Sequence, residues 1–417
     1  MEKESKTLEY KLDINESFLK TVSAFANYNG GDIIFGVDDD LNIIGLDDII
    51  NKKLDIENQI NGSIKPQINY RIQITNKNTI VLHIFKGDET PYLYNNKAYR
   101  RNDIATIEVD TIELKKLILD GMNKRYEDIA SRDQDLHFTQ LNKYLTSKLN
   151  IESINNDILS CLNLYNNKDG YNNAAYLLSD EYHGPSIDIG VFGESLNIFK
   201  KRATLNDMSI IEQYHKALEI FKDYYVYEEV SVPTRVTVET IPFKAFKEAL
   251  ANAIIHKDYM IDAHSKIEMH PDEIIIYTPG GLPDGINENE FKEGNVFCLR
   301  NPIIANVFHW LDIAETFATG IKRIKKCYKD YEVQPSFKVS ENIIVITLPK
   351  IKPITLTKNE HILQNEMELF NAYLRSDIER KTKLSKYALI RVLNKLIERG
   401  YVEKTGSGTN VIYTRIK

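Results

Sequence analysis

The sequence predicts a multidomain α+β protein, and three observations carry that expectation. The chain has 417 residues, enough for two to three domains that each bury a core. Short β-rich apolar runs, at residues 33–37 and 80–85 for example, alternate with segments of helical period as far as residue 350. Beyond residue 358 the pattern changes to three helices followed by a hairpin. The expected units are an α/β domain over 1–125, a larger α/β domain over 126–350 and a small helical domain with a hairpin over 351–417.

Composition limits the function classes. Charged residues make up 27% and hydrophobic residues 42%, ordinary for a soluble globular chain. No apolar run approaches the ~18 residues of a membrane span and the N-terminus has no apolar leader, so no membrane partner is expected. Cys161, Cys298 and Cys327 lie far apart and form no Cys-x-x-Cys pair. That indicates neither zinc nor a disulfide framework, and it fits a reducing cytoplasm. A net charge of −7 argues against a protein coated in nucleic acid; any such binding must come from local basic patches.

The stretch 4–39 organises the first domain. Glu4-Ser5-Lys6-Thr7-Leu8-Glu9-Tyr10-Lys11 reads as a charged strand, and Phe18, Val22 and Phe25 then mark one face of a helix. Asn29-Gly30-Gly31 ends that helix with residues that tolerate positive φ. Residues 33–37 follow as a buried strand whose end delivers Asp38 and Asp39. Taken alone, these residues fit a β-α-β unit with solvated charges at its ends. Further on, Tyr92, Tyr94 and Tyr99 lie close to Arg100 and Arg101, offering stacking faces and phosphate contacts. The same residues also fit a hairpin with its tyrosines in the core.

Three dispersed signatures raise this above a generic unit: Glu-x-x-x-x-Glu-Tyr-Lys at 4–11, Ser23-Ala24-Phe25-Ala26-Asn27 with Gly30-Gly31, and Gly36-Val37-Asp38-Asp39. Together they resemble the Schlafen-type Alba-like domain, also called divergent AAA-4. Residues 42–47 and Tyr99-Arg100-Arg101-Asn102 extend the likeness, with Asn102 where glycine is usual. The resemblance implies nucleic-acid binding, with Lys11, Arg100 and Arg101 as contacts. In Schlafen nucleases, three carboxylates bind a divalent metal and cleave tRNA or rRNA. Carried over by motif, that set is Glu4, Glu9 and Asp39, with Asp38 a close rival, and the ion is Mg2+ or Mn2+. Clustered oxygen ligands suit those ions. Residues five apart point to opposite faces of a straight strand, so Glu4 and Glu9 converge only if the chain turns between them. Alternatively, Glu9 and Lys11 share a face and pair.

The segment 131–235 indicates only α/β structure: a helix at 172–178, a strand at 186–192 and a helix at 210–225. The next informative stretch is 246–259. Glu248, Asn252 and His256 recur every four residues and lie along one helical face, beside an apolar stripe of Ala249, Ala253 and Ile254. This stretch resembles the N-box of the GHKL ATPases, in which the Glu is the general base and the Asn holds Mg2+ against ATP phosphates. It resembles more closely the divergent GHKL-like domain that follows an Alba-like domain. A strand ending in Gly280-Gly281, a helix opened by Arg300-Asn301-Pro302, and Glu315 with Thr319-Gly320 complete the likeness. The implied nucleotide site is Glu248, Asn252, His256, Gly280, Gly281, Thr319 and Gly320. Two departures stand out. Thr278-Pro279 occupies the place of the adenine-reading Asp, and the phosphate-cradling loop is reduced to Ala318-Thr319-Gly320. A degenerate scaffold, with the polar stripe bonded to its own loops, is the alternative.

The tail reads as helices at 359–374, 378–384 and 385–399, the last capped by Ser385 and stopped by Gly400, then a hairpin over 401–413. That is the winged-helix plan. From 378 to 417 there are ten Lys and Arg against three Glu. Lys386, Tyr387, Arg391 and Asn394 would meet DNA from the third helix and Lys404 from the wing. Winged helices that dock proteins are the alternative. Three functions follow. The first, favoured by the domain pair, is a DNA- or RNA-binding regulator, a homo-oligomer whose GHKL-like domain is a ligand sensor or dimer scaffold. The second is a metal-dependent Schlafen-like ribonuclease, and the third an ATP-driven machine resting on Glu248 and Asn252.

Overall fold

The computed structural model describes residues 2–416 except 232–233, 284–285, 295–297, 315–318, 352–357, 369, 399–400 and 407–410. Glu315, Ala318, Gly400 and the tip of the tail hairpin therefore lie outside the described residues.

The N-terminal domain is built on a four-stranded sheet in the order Leu8–Lys11, Gly31–Phe35, Ile80–Ile84, Tyr70–Ile74. The first two strands run parallel and the others antiparallel. A parallel pair needs a crossover, and the helix Phe18–Asn27 supplies it. Phe18, Val22 and Phe25 are fully buried, as their spacing predicts, against Ile33, Phe35 and Leu82 of the sheet. Gly30 has φ +71°, and a Cβ there would lie 2.8 Å from the Ile84 carbonyl oxygen, so only glycine fits the turn. Tyr92, Tyr94 and Tyr99 are buried in this core. Of the two readings open for them, stacking faces or core tyrosines, the core one holds. Tyr99–Asn102 and Ala105–Glu108 form a hairpin over the crossover helix. The helix Thr111–Gly121 follows, and its last residue packs so closely on the chain that a Cβ there would lie 1.9 Å from the Thr90 carbonyl oxygen.

The central domain has a six-stranded mixed sheet ordered Phe199–Thr204, Ile187–Phe192, Ser265–Met269, Glu273–Pro279, Ile343–Pro349, Ser336–Val339. Only the pairing of Ile187–Phe192 with Ser265–Met269 is parallel. The helices Ile210–Tyr225 and Phe243–His256 share one core with this sheet, and Phe221 and Phe246 stack between them at 4.4 Å. A third helix, Gly320–Cys327, lies along Phe243–His256. No helix among the described residues is long and apolar enough to cross a membrane.

The tail has its own core around Leu363, Ile378, Leu389, Leu393 and Leu396. Its element order is helix Lys358–Glu366, strand Ala372–Leu374, helices Arg375–Thr382 and Lys386–Glu398, then strands Val402–Thr405 and Ile412–Arg415. The three strands form one sheet with Ile412–Arg415 in the middle. Ser385 caps the third helix by accepting from the Ala388 amide at 3.4 Å. The single helix expected over 359–374 is corrected. It stops at Glu366, and residues 372–374 become a strand because Ile412–Arg415 offers them a sheet partner.

Candidate functional site

The helix Phe243–His256 and the last strands of the central sheet enclose an apolar cleft. Asn252, Ala253 and His256 line it from the helix, Thr278, Ile344 and Ile346 from the sheet, and Gly281, Gly320 and Ile321 from the loops and the neighbouring helix. The expected stripe divides here. Asn252 and His256 reach the cleft, and a Cβ on Gly320 would lie 2.4 Å from Asn252 Nδ2, so glycine makes room for that amide. Glu248, one turn earlier, is buried and absent from the lining; Arg323 Nη1 donates to its Oε1 at 3.1 Å. Burial, with Arg300 adding to it, pushes His256 down to about 4, so its imidazole is neutral near pH 7.

Gly280 and Gly281 turn out to differ in role. Gly280 has φ +103° and is pressed against Asp258, whose Cβ would lie 2.6 Å from an added Cβ; it serves the turn and does not line the cleft. Gly281 lines the cleft, and Arg300 Nη2 donates to its carbonyl at 2.7 Å. Thr319 is adjacent to the lining, with its hydroxyl buried and unbonded among the described residues. Sequence reasoning missed the anchors of this turn. Asp258, almost wholly buried, accepts Lys116 of the N-terminal domain at 2.6 Å and lies 3.5 Å from Arg300. Arg100 lies 3.3 Å from Glu113 and 3.4 Å from Glu341, whose carbonyl abuts Gly281. These contacts fasten the N-terminal domain to one wall of the cleft.

In the N-terminal domain the expected carboxylate set is not assembled. Glu9 is buried with both oxygens engaged. Its Oε1 takes Lys11 at 2.7 Å, and its Oε2 accepts from Arg101 Nη1 at 2.6 Å and Thr21 Oγ1 at 2.7 Å. Glu4 folds back so that Oε1 accepts from the Tyr10 amide at 2.9 Å. Asp38 serves a turn, accepting from the Asn42 side chain and backbone, which hold its carboxyl below the usual range. Among the described residues no group of three or more His, Cys, Asp or Glu side chains could hold a metal ion, Asp39 included. The arrangement therefore does not fit Mg2+ or Mn2+: the central carboxylate is already neutralised by two cations. Arg101, expected as a phosphate contact, is buried and also donates to Thr106 and the Ser5 carbonyl. Lys11 and Arg100 are partly exposed but ion-paired.

On the tail, Lys386, Tyr387, Arg391 and Asn394 are exposed on one side of Lys386–Glu398, with Lys395 beside them, while Leu389, Leu393 and Leu396 face the core. Lys404 is exposed on the adjoining sheet. Among the described residues, Lys386, Arg391, Lys395 and Lys404 have no ion pair.

With this geometry in view, comparison with known proteins defines the class. Residues 4–110 match the Schlafen, AlbA_2 family model. Residues 262–348 match the model described as the C-terminal part of putative ATP-dependent DNA helicase RecG. Two separate parts of the chain thus resemble a Schlafen AlbA_2 module and an ATPase-like module. Among solved structures it is similar to the DIP2311 protein from Corynebacterium diphtheriae, at 15% identity and a TM-score of 0.50, over 98% of this chain and 92% of that one. At that identity the likeness concerns the fold. No curated protein matches the sequence. The second family match begins after the Phe243–His256 helix, so it covers Thr278, Gly280, Gly281, Thr319 and Gly320 but not Glu248, Asn252 or His256.

Proposed function

We propose that this protein is a nucleic-acid-binding regulator in which the terminal domains engage DNA or RNA. The central domain is a degenerate nucleotide-binding module that acts as a ligand sensor or as the scaffold of a homo-oligomer. The observation that carries the reading is the tail: its order of helix, strand, two helices and two strands supports a winged-helix reading, and its third helix exposes Lys386, Tyr387, Arg391 and Lys395 free of ion pairs among the described residues. In a chain of net charge −7, unpaired cations gathered on one helix face form a local attraction for phosphate against the global field. Tyr387, 87% exposed, adds a face that can stack on a base or pack on a sugar. The family matches at 4–110 and 262–348 support the same class.

Fluorescence anisotropy with labelled duplex DNA and hairpin RNA, over a series of salt concentrations, tests this. The triple substitution Lys386→Ala, Arg391→Ala, Lys404→Ala should weaken binding by roughly tenfold or more. It should also reduce the salt slope by roughly one unit for each phosphate that no longer meets a cation. Unchanged affinity and slope in the triple variant would remove the tail from the interface and overturn the proposal as stated.

A further inference from the structure

The hairpin of Ile187–Phe192 and Phe199–Thr204 lies outside both family matches and belongs to no site described above. Its second strand is the edge of the six-stranded sheet. The Gly193 amide donates to the Ile198 carbonyl at 2.7 Å and the Ile198 amide to the Ser195 carbonyl at 3.0 Å, so the connection is a tight turn with Leu196 at its tip. Leu196, Ile198 and Phe199 are 66%, 51% and 41% exposed. Single exposed apolar side chains are ordinary. Three within four residues, followed at once by Lys200-Lys201-Arg202, are not.

The strand spreads its cations. The register shifts between Val191 and Phe192, leaving Lys200 as the extra residue of a bulge. Lys201 points to the helix side of the sheet, 3.9 Å from Asp223 of the Ile210–Tyr225 helix. Arg202, opposite Gly190, stands on the other face with its guanidinium carbon 3.6 Å from the Phe199 ring centroid. Phe199 packs in turn on Phe192 at 4.5 Å, and Phe192 stacks on His270 at 4.7 Å. Arg202 is thus held in place, and neither it nor Lys200 has an ion pair among the described residues. Phe199, engaged by Arg202 and Phe192, stiffens the arm, and the aliphatic tip is left free.

A second copy of the chain does not fit this edge. Antiparallel pairing about Lys201 would set Lys200 against Arg202 and Lys201 against itself, and like charges directly opposite destabilise a ladder. A polyanion does fit: residues 193–204 hold three cations and one carboxylate, Glu194, in a chain of net charge −7. Among polyanions, aliphatic side chains beside cations suit a duplex whose minor groove opens at a kinked base step. We propose that the hairpin is an arm for duplex DNA: Lys200 and Arg202 hold phosphates while Leu196 and Ile198 wedge into a base step and bend the helix. The inference extends the reading of the chain as a nucleic-acid-binding regulator, rests on it, and adds a contact from the central domain.

Anisotropy and end-to-end energy transfer on doubly labelled duplexes, one with a central TpA step and one with an A-tract, test this with the full chain. The wild type should bend the TpA duplex and bind it more tightly than the A-tract, because pyrimidine–purine steps kink more readily. Leu196→Ser with Ile198→Ser should abolish the bend and that preference and weaken the TpA complex about tenfold, with the salt slope unchanged. Lys200→Gln with Arg202→Gln should lower the salt slope by about two. An unchanged bend in the first variant or an unchanged slope in the second would overturn the inference. So would variants that weaken binding to hairpin RNA or to anionic phospholipid vesicles but not to duplex DNA. If the cations only guard the sheet edge, the second variant would self-associate in analytical ultracentrifugation with its salt slope unchanged, which also overturns it. The tail is read by its own triple substitution: an effect there and none here overturns the arm alone, and the reverse overturns the tail alone. A wild type that binds no duplex overturns the arm whatever the tail does with RNA.

Discussion

Replacing Arg101 with alanine should destabilise the N-terminal domain by about 3–5 kcal/mol, the cost of leaving a buried charge without its partner. The Arg101 and Glu9 side chains are 5% and 6% exposed and meet at 2.6 Å. Removing the guanidinium leaves the Glu9 carboxylate with Thr21 and with Lys11, whose side chain is 27% exposed and reaches only the other oxygen. It also removes the donors to Thr106 and the Ser5 carbonyl, which tie the 99–108 hairpin to the N-terminal strand. Replacing both partners with methionine should cost less than Arg101→Ala, because apolar atoms of similar volume leave no orphaned charge. Hydrogen exchange at the Phe18–Asn27 amides, read against denaturant, would measure the loss in this domain alone. A loss below ~1 kcal/mol would show that the pair contributes little and would make Arg101 a candidate phosphate contact again. Adding Mn2+ to Arg101→Ala separates the nuclease reading as well. A Glu9 freed of Arg101 that then gains stability from the ion would be a metal ligand in waiting, whereas the observed pairing predicts no gain.

The sequence revealed elements more readily than partners. The Ile210–Tyr225 helix and the Glu273–Pro279 strand fall where periodicity places them, because a strong pattern over a whole element outweighs end effects. Pro302 correctly marks a first helical turn, since its missing N–H is not needed there. Burial of single polar residues was hidden. Arg101 beside three tyrosines reads as a binding edge, and nothing local says that Glu9, 92 positions earlier, will neutralise it. The strand at 372–374 was missed for a related reason: Met367-Glu368-Leu369-Phe370 reads as helix, and only the distant pairing of Leu374 with Ile412 decides otherwise. Within the cleft, the spacing of Glu248, Asn252 and His256 gave the face correctly. It could not show that Arg323 claims the first of them, leaving two to the cavity.

The second large effect concerns a residue the sequence did not single out. Glu127 is fully buried in the short helical turn Tyr126–Asp128, and its two oxygens accept from the Ile303 and Ile304 amides at 2.7 and 3.1 Å. It thereby caps the helix Pro302–Trp310 from 176 positions away, satisfying N–H groups that the helix cannot satisfy itself. Burial pushes its carboxyl up to about 7 despite those two amides; Asp128 adds to the rise and Arg125 opposes it. The consequence for stability has a definite sign. Below about pH 4.5 the group is protonated in both folded and unfolded chains and contributes no slope. Between there and pH 7 the unfolded chain loses the proton while the folded one keeps it, so stability falls as pH rises, by about 3 kcal/mol in all. Glu127→Gln removes the titration and keeps one acceptor for the two amides, so its stability should be flat across that window, lowered at every pH by the loss of one amide's partner. Trp310, the chain's single tryptophan, closes the capped helix, and its fluorescence during urea unfolding at a series of pH values reports on this region directly. An equal slope in wild type and Glu127→Gln would place the titrating group elsewhere and leave Glu127 an ionised cap, stabilised by its two amides and by the helix dipole.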